Sequence, residues 1–341
     1  MESREWTAAA IIRIEEDVVD TPLVEVELPA EWGVGLHLKD ESRQPSGSVK
    51  HRLLSTAYVD ALESGRLAEG DTVVHAGAGP AAVSSAYFAR MIGLGFTAVV
   101  PASTRPERRE AIEAAGGECR LFDPPAGIYT EAARLAAETG ACYLDHFAAA
   151  ARTSGKDSLA AEIVIGLGRA PEWIVTGAGT GATSGSIGRS LRRHGHPTRL
   201  AVADPENSAY FPGWASGAPD YATGTPSRVE GVGRPRMEPG FLPSVIDLVM
   251  PVPDAASPGA LAHLRELTGR AAGGSTGSCL WAAWRLIAGM LAEGRHGDVV
   301  VIMADAGSAP ALDGTPYTEA LRAFLRAGVL DVPAVPPTRR T

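Results

Sequence analysis

Trp173-Ile174-Val175-Thr176-Gly177-Ala178-Gly179-Thr180-Gly181-Ala182-Thr183 is the stretch that decides the fold class. An apolar strand closing on Thr176 runs into a turn of small residues, and a helical run from Ser184 to Arg193 follows. Strand, glycine turn and helix make one half of a β–α–β unit, which belongs in a parallel sheet with helices on its faces. Small residues in such a turn let backbone N–H groups converge on an anion at the helix N-terminus, and Thr180 and Thr183 add hydroxyl donors. The stretch therefore reads as a phosphate cup formed by Gly179, Thr180, Gly181, Ala182 and Thr183. No lysine adjoins the turn, which excludes the nucleotide-binding loop of GTPases and ATPases. A plain strand-to-helix turn is the other reading.

The same alternation extends in both directions. Upstream, the strand Thr72 to His75 leads through small residues to a helix from about Val83, and the strand Phe96 to Val100 to a helix containing Arg108 to Ala115. Short strands near Cys119 to Phe122 and Cys142 to Leu144 flank a helix from Tyr129 to Glu138. Downstream come the strand Leu200 to Ala203, a long Gly/Pro-rich stretch, two helices and the strand Val299 to Met303. The expected organisation is a smaller α/β domain over residues 36–150, a larger one from 1–35 with 151–325, and a flexible tail over 326–341. The stretch from Phe211 to Phe241 is too long for a plain connection, and loops of that length are usually functional or disordered.

Composition narrows the function classes. A chain of 341 residues with 45% hydrophobic and 21% charged residues is globular and long enough for two domains. Its formal charge of −9 and the lack of a basic block argue against nucleic acid as a partner. Cys119, Cys142 and Cys279 lack the spacing of a disulfide framework or a zinc site, which fits a cytoplasmic protein without a metal. No segment approaches the twenty apolar residues of a membrane span, and the N-terminus lacks the pattern of a secretory signal.

Three of the 31 basic residues are lysines, and Lys50 sits in Pro45-Ser46-Gly47-Ser48-Val49-Lys50-His51-Arg52. A lysine can lose its proton and attack a carbonyl, whereas a guanidinium stays protonated. Placed at the start of a helix, where the backbone's positive potential disfavours a protonated amine, Lys50 is a candidate for a covalent cofactor anchor. A solvated first-turn lysine is equally compatible with the string alone. Gly273-Gly274-Ser275-Thr276-Gly277-Ser278 precedes another helical run, where a hydroxyl could meet a ring nitrogen or simply cap the helix.

Together these strings resemble the fold type II enzymes that use pyridoxal 5′-phosphate, in the cysteine synthase and cystathionine β-synthase superfamily. Within it the chain is most similar to bacterial L-cysteine desulfhydrases. The matching strings include TPL (Thr21–Leu23), LKDES (Leu38–Ser42), VVPAST (Val99–Thr104), ADPENSA (Ala203–Ala209) and VEGVGRPR (Val229–Arg236). The resemblance implies a tryptophan synthase β-like fold of two α/β domains with the cofactor between them, and a homodimer. It makes Lys50 the Schiff-base lysine, Gly179 to Thr183 the phosphate cup and Ser275 the partner of the pyridine nitrogen. It implies β-elimination on a small cysteine-like amino acid, with Lys50 taking the Cα proton. β-Replacement by a second nucleophile is the alternative fate.

The chain departs from the family where the substrate is held. Gly77-Ala78-Gly79-Pro80-Ala81-Ala82 stands where relatives carry hydroxyl and amide side chains, often SGNTG, and Pro80 also lacks an N–H. His146 stands where a glutamine is common. Gly77, Ala78, Gly79, Pro80, Ala81, His146 and Gly231 are the expected substrate-binding positions. A carboxylate short of donors binds more weakly by roughly 1 to 3 kcal/mol per lost partner. Backbone amides with His146 could compensate, the substrate could be modified or carrier-bound, or catalysis could be reduced. His51 is expected to be structural, while His75 could face the pocket or the core. Gly77-x-Gly79-x-x-Ala82 also passes as a dinucleotide fingerprint, but its following strand ends in Val100-Pro101 without the ribose-binding acid. The Gly177 turn, with Asp204 closing the next strand, meets that requirement, though a dinucleotide site gives no reason for PSGSVKHR or GGSTGS.

Overall fold

The computed structural model describes residues 2–152, 159–307 and 309–333. In chain order the main elements are α1 (Glu2–Glu16), β1 (Leu23–Val26), β2 (Val34–Asp40), α2 (Lys50–Glu63), β3 (Thr72–Ala76), α3 (Pro80–Met91), β4 (Gly95–Pro101), α4 (Pro106–Ala114), β5 (Glu118–Phe122), α5 (Ile128–Thr139), β6 (Cys142–Tyr143) and α6 (His146–Arg152). There follow α7 (Leu159–Leu167), β7 (Trp173–Gly177), α8 (Ala182–Arg193), β8 (Arg199–Pro205), α9 (Tyr210–Ser216), β9 (Leu248–Val252), α10 (Ala256–Thr268), α11 (Gly274–Ala292), β10 (Gly297–Met303) and α12 (Thr315–Ala327).

The chain divides into two compact units, Met1–Asp20 with Ser42–Asp157, and Thr21–Glu41 with Ser158–Thr341. The first holds a four-stranded sheet in the order β5-β4-β3-β6, parallel throughout. Val74, Ala76 and Val99 on its strands pack against Ile128, Ala132 and Leu135 of α5. The second holds a six-stranded sheet in the order β1-β2-β10-β7-β8-β9, parallel except where β1 pairs antiparallel with β2. Its core is α11, buried around most of its circumference, with Trp281, Trp284 and Ile287 set among Leu36, Val175, Ala201 and Val301. Helices apolar on every side belong inside a protein, which is where this one lies.

Several boundaries differ from the expectation. Residues 1–20 join the smaller unit instead of the larger, because α1 packs on α2, and the larger unit takes Thr21–Glu41 because β1 and β2 extend its sheet through β10. The helix expected from about Val83 begins at Pro80, a residue suited to a first helical turn because its missing N–H has no intrahelical partner to lose. The Phe211 to Phe241 connection contains most of α9. The tail expected over 326–341 overlaps the end of α12, which runs to Ala327, and residues 334–341 lie outside the described residues.

Candidate cofactor and substrate site

In the smaller unit, Lys50 is the first residue of α2 and is half-buried. The chain reverses just before it at Gly47, whose φ of +81° is left-handed and whose N–H donates to Gln44 O at 2.7 Å. Such a φ is easy for glycine and costly for residues with a Cβ. The N–H of Lys50 donates to Ser48 Oγ at 3.3 Å, so the lysine leaves a side-chain-capped turn. His51 is fully buried, with its ring 4.5 Å from that of Phe88 and Nδ1 3.0 Å from Ser46 Oγ. Burial pulls its pKa down to about 4 in spite of the nearby Asp17 carboxylate, so the ring is neutral at neutral pH.

The Gly77–Ala81 loop leaves the C-terminal end of β3. Gly77 has a φ of +126°, nothing lies where its side chain would be, and its N–H donates to Val99 O at 2.9 Å. The N–H groups of Ala78, Gly79 and Ala81 find no acceptor among the described residues. Three backbone donors thus remain at the start of α3 where the polar side chains are missing. His146 opens α6, whose first turn is capped by Asp145 Oδ1 accepting from Phe147 N and Ala148 N at 2.9 and 3.1 Å. Its ring stacks on that of His75, the penultimate residue of β3. The smaller unit therefore brings His75 and His146 together, a pairing for which neither local string carries a signal.

In the larger unit, the turn between β7 and α8 has the geometry of an anion cup. The N–H groups of Gly179, Thr180, Gly181 and Thr183 have no acceptor among the described residues, while Ala182 N donates to Thr180 Oγ1 at 3.3 Å. Unpaired N–H groups at the N-terminus of a helix attract negative charge through both hydrogen bonds and the helix dipole. Glycine is required at two of these positions by close approach: a Cβ on Gly179 would overlap Gly231 O, and one on Gly181 would overlap Gly240 and Phe241 N. The long connection after α9 thus serves as a backing for the cup. It is tied there by Gly233 N donating to Ala178 O at 2.8 Å, which sets Gly231 against the turn. Tyr210, absent from the sequence reading, donates from its hydroxyl to Gly179 O at 2.5 Å and stacks on Phe241 at 4.1 Å.

Ser275 lies in the first turn of α11 and is buried, and its hydroxyl meets no partner among the described residues. Its neighbours are differently employed: Thr276 Oγ1 accepts from Ala304 N at 3.3 Å, and Gly274 O accepts from Ser257 Oγ at 2.7 Å. Gly274 also lies against Val229, so the 229–233 segment runs from the start of α11 to the cup. Lys39, another of the three lysines, is buried in the larger unit, where its ammonium reaches Thr21 O at 2.5 Å and Glu162 Oε2 at 2.6 Å. Its amine is committed to structure.

Residues 14–305 match the family model described as pyridoxal-phosphate dependent enzyme. The chain belongs to that family. As a pyridoxal-phosphate dependent enzyme it is 47% identical over 319 residues to an L-cysteine desulfhydrase of Mycobacterium tuberculosis, covering 89% of this chain and 87% of that protein. It is 30% identical over 236 residues to an O-ureido-L-serine synthase of Streptomyces lavendulae, covering 67% and 68%. The crystal structure of an O-ureido-L-serine synthase superposes with a TM-score of 0.73 at 26% identity, over 93% of this chain and 95% of the other. The fold is therefore that of the type II pyridoxal phosphate enzymes, and pyridoxal 5′-phosphate is the cofactor.

The residues present fit that cofactor. An aldehyde needs an amine, a phosphate needs convergent N–H groups, and a pyridine nitrogen needs a hydroxyl or acid. Lys50, the Gly179–Thr183 turn and the hydroxyl of Ser275, which meets no partner among the described residues, supply one of each. Among the described residues no helix is long and apolar enough to cross a membrane.

Proposed function

We propose that this enzyme is a carbon–sulfur lyase that eliminates the β-substituent of a cysteine-like amino acid, giving sulfide, pyruvate and ammonia when the substrate is L-cysteine. The observation that carries this reading is the 47% identity, spread over nine-tenths of the chain, to an L-cysteine desulfhydrase.

Pyridoxal 5′-phosphate, when bound, supplies an electron sink for the pair left at Cα. In our reading Lys50 anchors the cofactor and, once displaced by the substrate's amine, accepts the Cα proton on Nζ. The N–H groups of Gly179, Thr180, Gly181 and Thr183 hold the phosphate, with Ala182 completing the turn. Ser275 bonds the ring nitrogen with a neutral hydroxyl, which leaves a weaker sink than a carboxylate partner would. A weaker sink favours prompt departure of the β-substituent. The substrate carboxylate is held by the N–H groups of Ala78, Gly79 and Ala81 together with His146, while Gly77 and Pro80 shape the loop and Gly231 backs the cup. The enzyme is taken to be a cytoplasmic homodimer on the strength of the family resemblance.

A second reading, β-replacement, is supported by the relatedness to O-ureido-L-serine synthase and to a putative cysteine synthase of Sinorhizobium fredii, 30% identical over 84% of this chain. Both reactions share the loss of the Cα proton and of the β-substituent and differ in whether a second nucleophile is then added. The test is to supply L-cysteine alone and, separately, O-acetyl-L-serine with sulfide. Sulfide and pyruvate in equal amounts from the first support the lyase. Cysteine from the second, with no sulfide from the first, would establish the synthase instead.

A further inference from the structure

The turn that carries Lys50 is gripped from behind by the segment that follows α1. Val19 N donates to Gln44 Oε1 at 3.3 Å, Gln44 Nε2 returns a bond to Val19 O at 2.8 Å, and Arg52 Nη2 reaches the same carbonyl at 3.4 Å. Two residues earlier, Asp17 Oδ2 lies 3.4 Å from His51 Nε2, and Asp17 Oδ1 accepts from Tyr87 Oη at 3.1 Å. On the other side of the ring, His51 Nδ1 lies 3.0 Å from Ser46 Oγ, which lies 2.7 Å from Ser84 Oγ of α3. The chain of contacts therefore runs from Asp17 through His51 and Ser46 to Ser84, and Lys50 stands between the histidine and Ser46 in sequence.

Asp17 Oδ2 and His51 Nε2 face each other at 3.4 Å without forming a hydrogen bond, so the ring's bonded link is the one from Nδ1 to Ser46. The Nδ1–Ser46 and Ser46–Ser84 contacts are hydrogen bonds and carry the chain on to α3. His51 and Ser84 are fully buried, so losing the Ser46 link leaves buried polar groups unpaired.

We propose that Asp17, His51 and Ser46 form a brace that orients Lys50 toward the cofactor, making His51 a positioning residue for the reaction. The proposal rests on the role assigned above to Lys50. It also accounts for the segment after α1. Residues 17 to 19 fix the base of the turn, Ser46 fixes its approach, and Ser48 caps the amide of the lysine itself.

The two ring nitrogens can be tested separately, because an asparagine side chain places a polar atom near Nδ1 and a glutamine places one near Nε2. Purified holoenzyme carrying His51→Asn, His51→Gln or Ser46→Ala is compared with wild type by three readouts: the pH midpoint of the visible band of lysine-bound cofactor, kcat and KM with L-cysteine, and Tm. Ser46→Ala and His51→Gln lose the Ser46 link and His51→Asn loses the Asp17 contact, and each is expected to shift the midpoint and lower kcat about tenfold with KM little changed. Ser46→Ala removes a single oxygen and keeps the test meaningful if the histidine variants fold poorly. Variants that lose only Tm, with midpoint and kcat unchanged, would overturn the brace. A wild-type protein whose cofactor is not bound to Lys50 would instead overturn the assignment of the lysine, which separates the two failures.

Discussion

His75 and His146 lie face to face, their ring centroids 4.7 Å apart and their planes within 16° of parallel. The stack sets the orientation of His146, the one imidazole proposed to meet substrate, against a fully buried ring. His75 is wholly buried, and both of its ring nitrogens lack partners among the described residues.

Removing His146 should therefore cost substrate binding more than chemistry. For His146→Ala the expected outcome is a rise in KM for L-cysteine of roughly five- to a hundredfold, the loss of one hydrogen bond to a charged group, with kcat reduced far less. Steady-state kinetics check this. An unchanged KM would move the carboxylate entirely onto the Ala78, Gly79 and Ala81 amides.

His75 gives a pH signature. Burial lowers its pKa to about 4, against 6.5 in the unfolded chain. The unfolded state thus takes up a proton first as pH falls, so the stability tied to neutral His75 is complete above pH 6.5 and is lost on the way down to about pH 4. A shift of this size corresponds to about 3 kcal/mol. His75→Phe, which keeps an aromatic ring beside His146, should flatten the fall in stability between pH 7 and 4.5, as read from urea denaturation at each pH. An identical fall in both proteins would contradict the buried neutral state.

The cup should not tolerate a methyl group. Gly179→Ala drives a Cβ into Gly231 O, and Gly181→Ala adds a φ of +81° to its own clash with Gly240. Because the obstructing atoms are backbone, relief requires moving the connection that backs the cup. Overpacking of this kind costs about 1 to 3 kcal/mol, and the expected result is cofactor affinity weakened about ten- to a hundredfold in a titration followed by visible absorbance.

The alternation of strand and helix was legible because parallel strands here are short apolar runs bounded by small-residue turns, as at Trp173–Gly177 and Thr72–Ala76. The Gly179–Thr183 turn and the turn before Lys50 were legible as turns for the same reason: each depends on residue types in one contiguous string. What depends on distant pairing was not. β9 contains Pro251, which weakens a strand reading, yet the strand lies at the sheet edge where a missing N–H is tolerated. Nothing local in residues 1–20 says that they pack on α2, so they were expected in the wrong unit. Tyr210 reaches Gly179 across 31 positions, a bond that no periodicity announces.

The most direct test of the central claim is to treat the purified protein, yellow with cofactor, with borohydride and map the modified peptide, with a parallel sample given L-cysteine and assayed for sulfide and pyruvate. The account predicts a reduced cofactor adduct on Lys50 and equal release of sulfide and pyruvate from the untreated sample. An adduct on another lysine, or a protein that takes up no pyridoxal 5′-phosphate, would contradict the assignment of the site, while an adduct on Lys50 without sulfide would contradict the lyase.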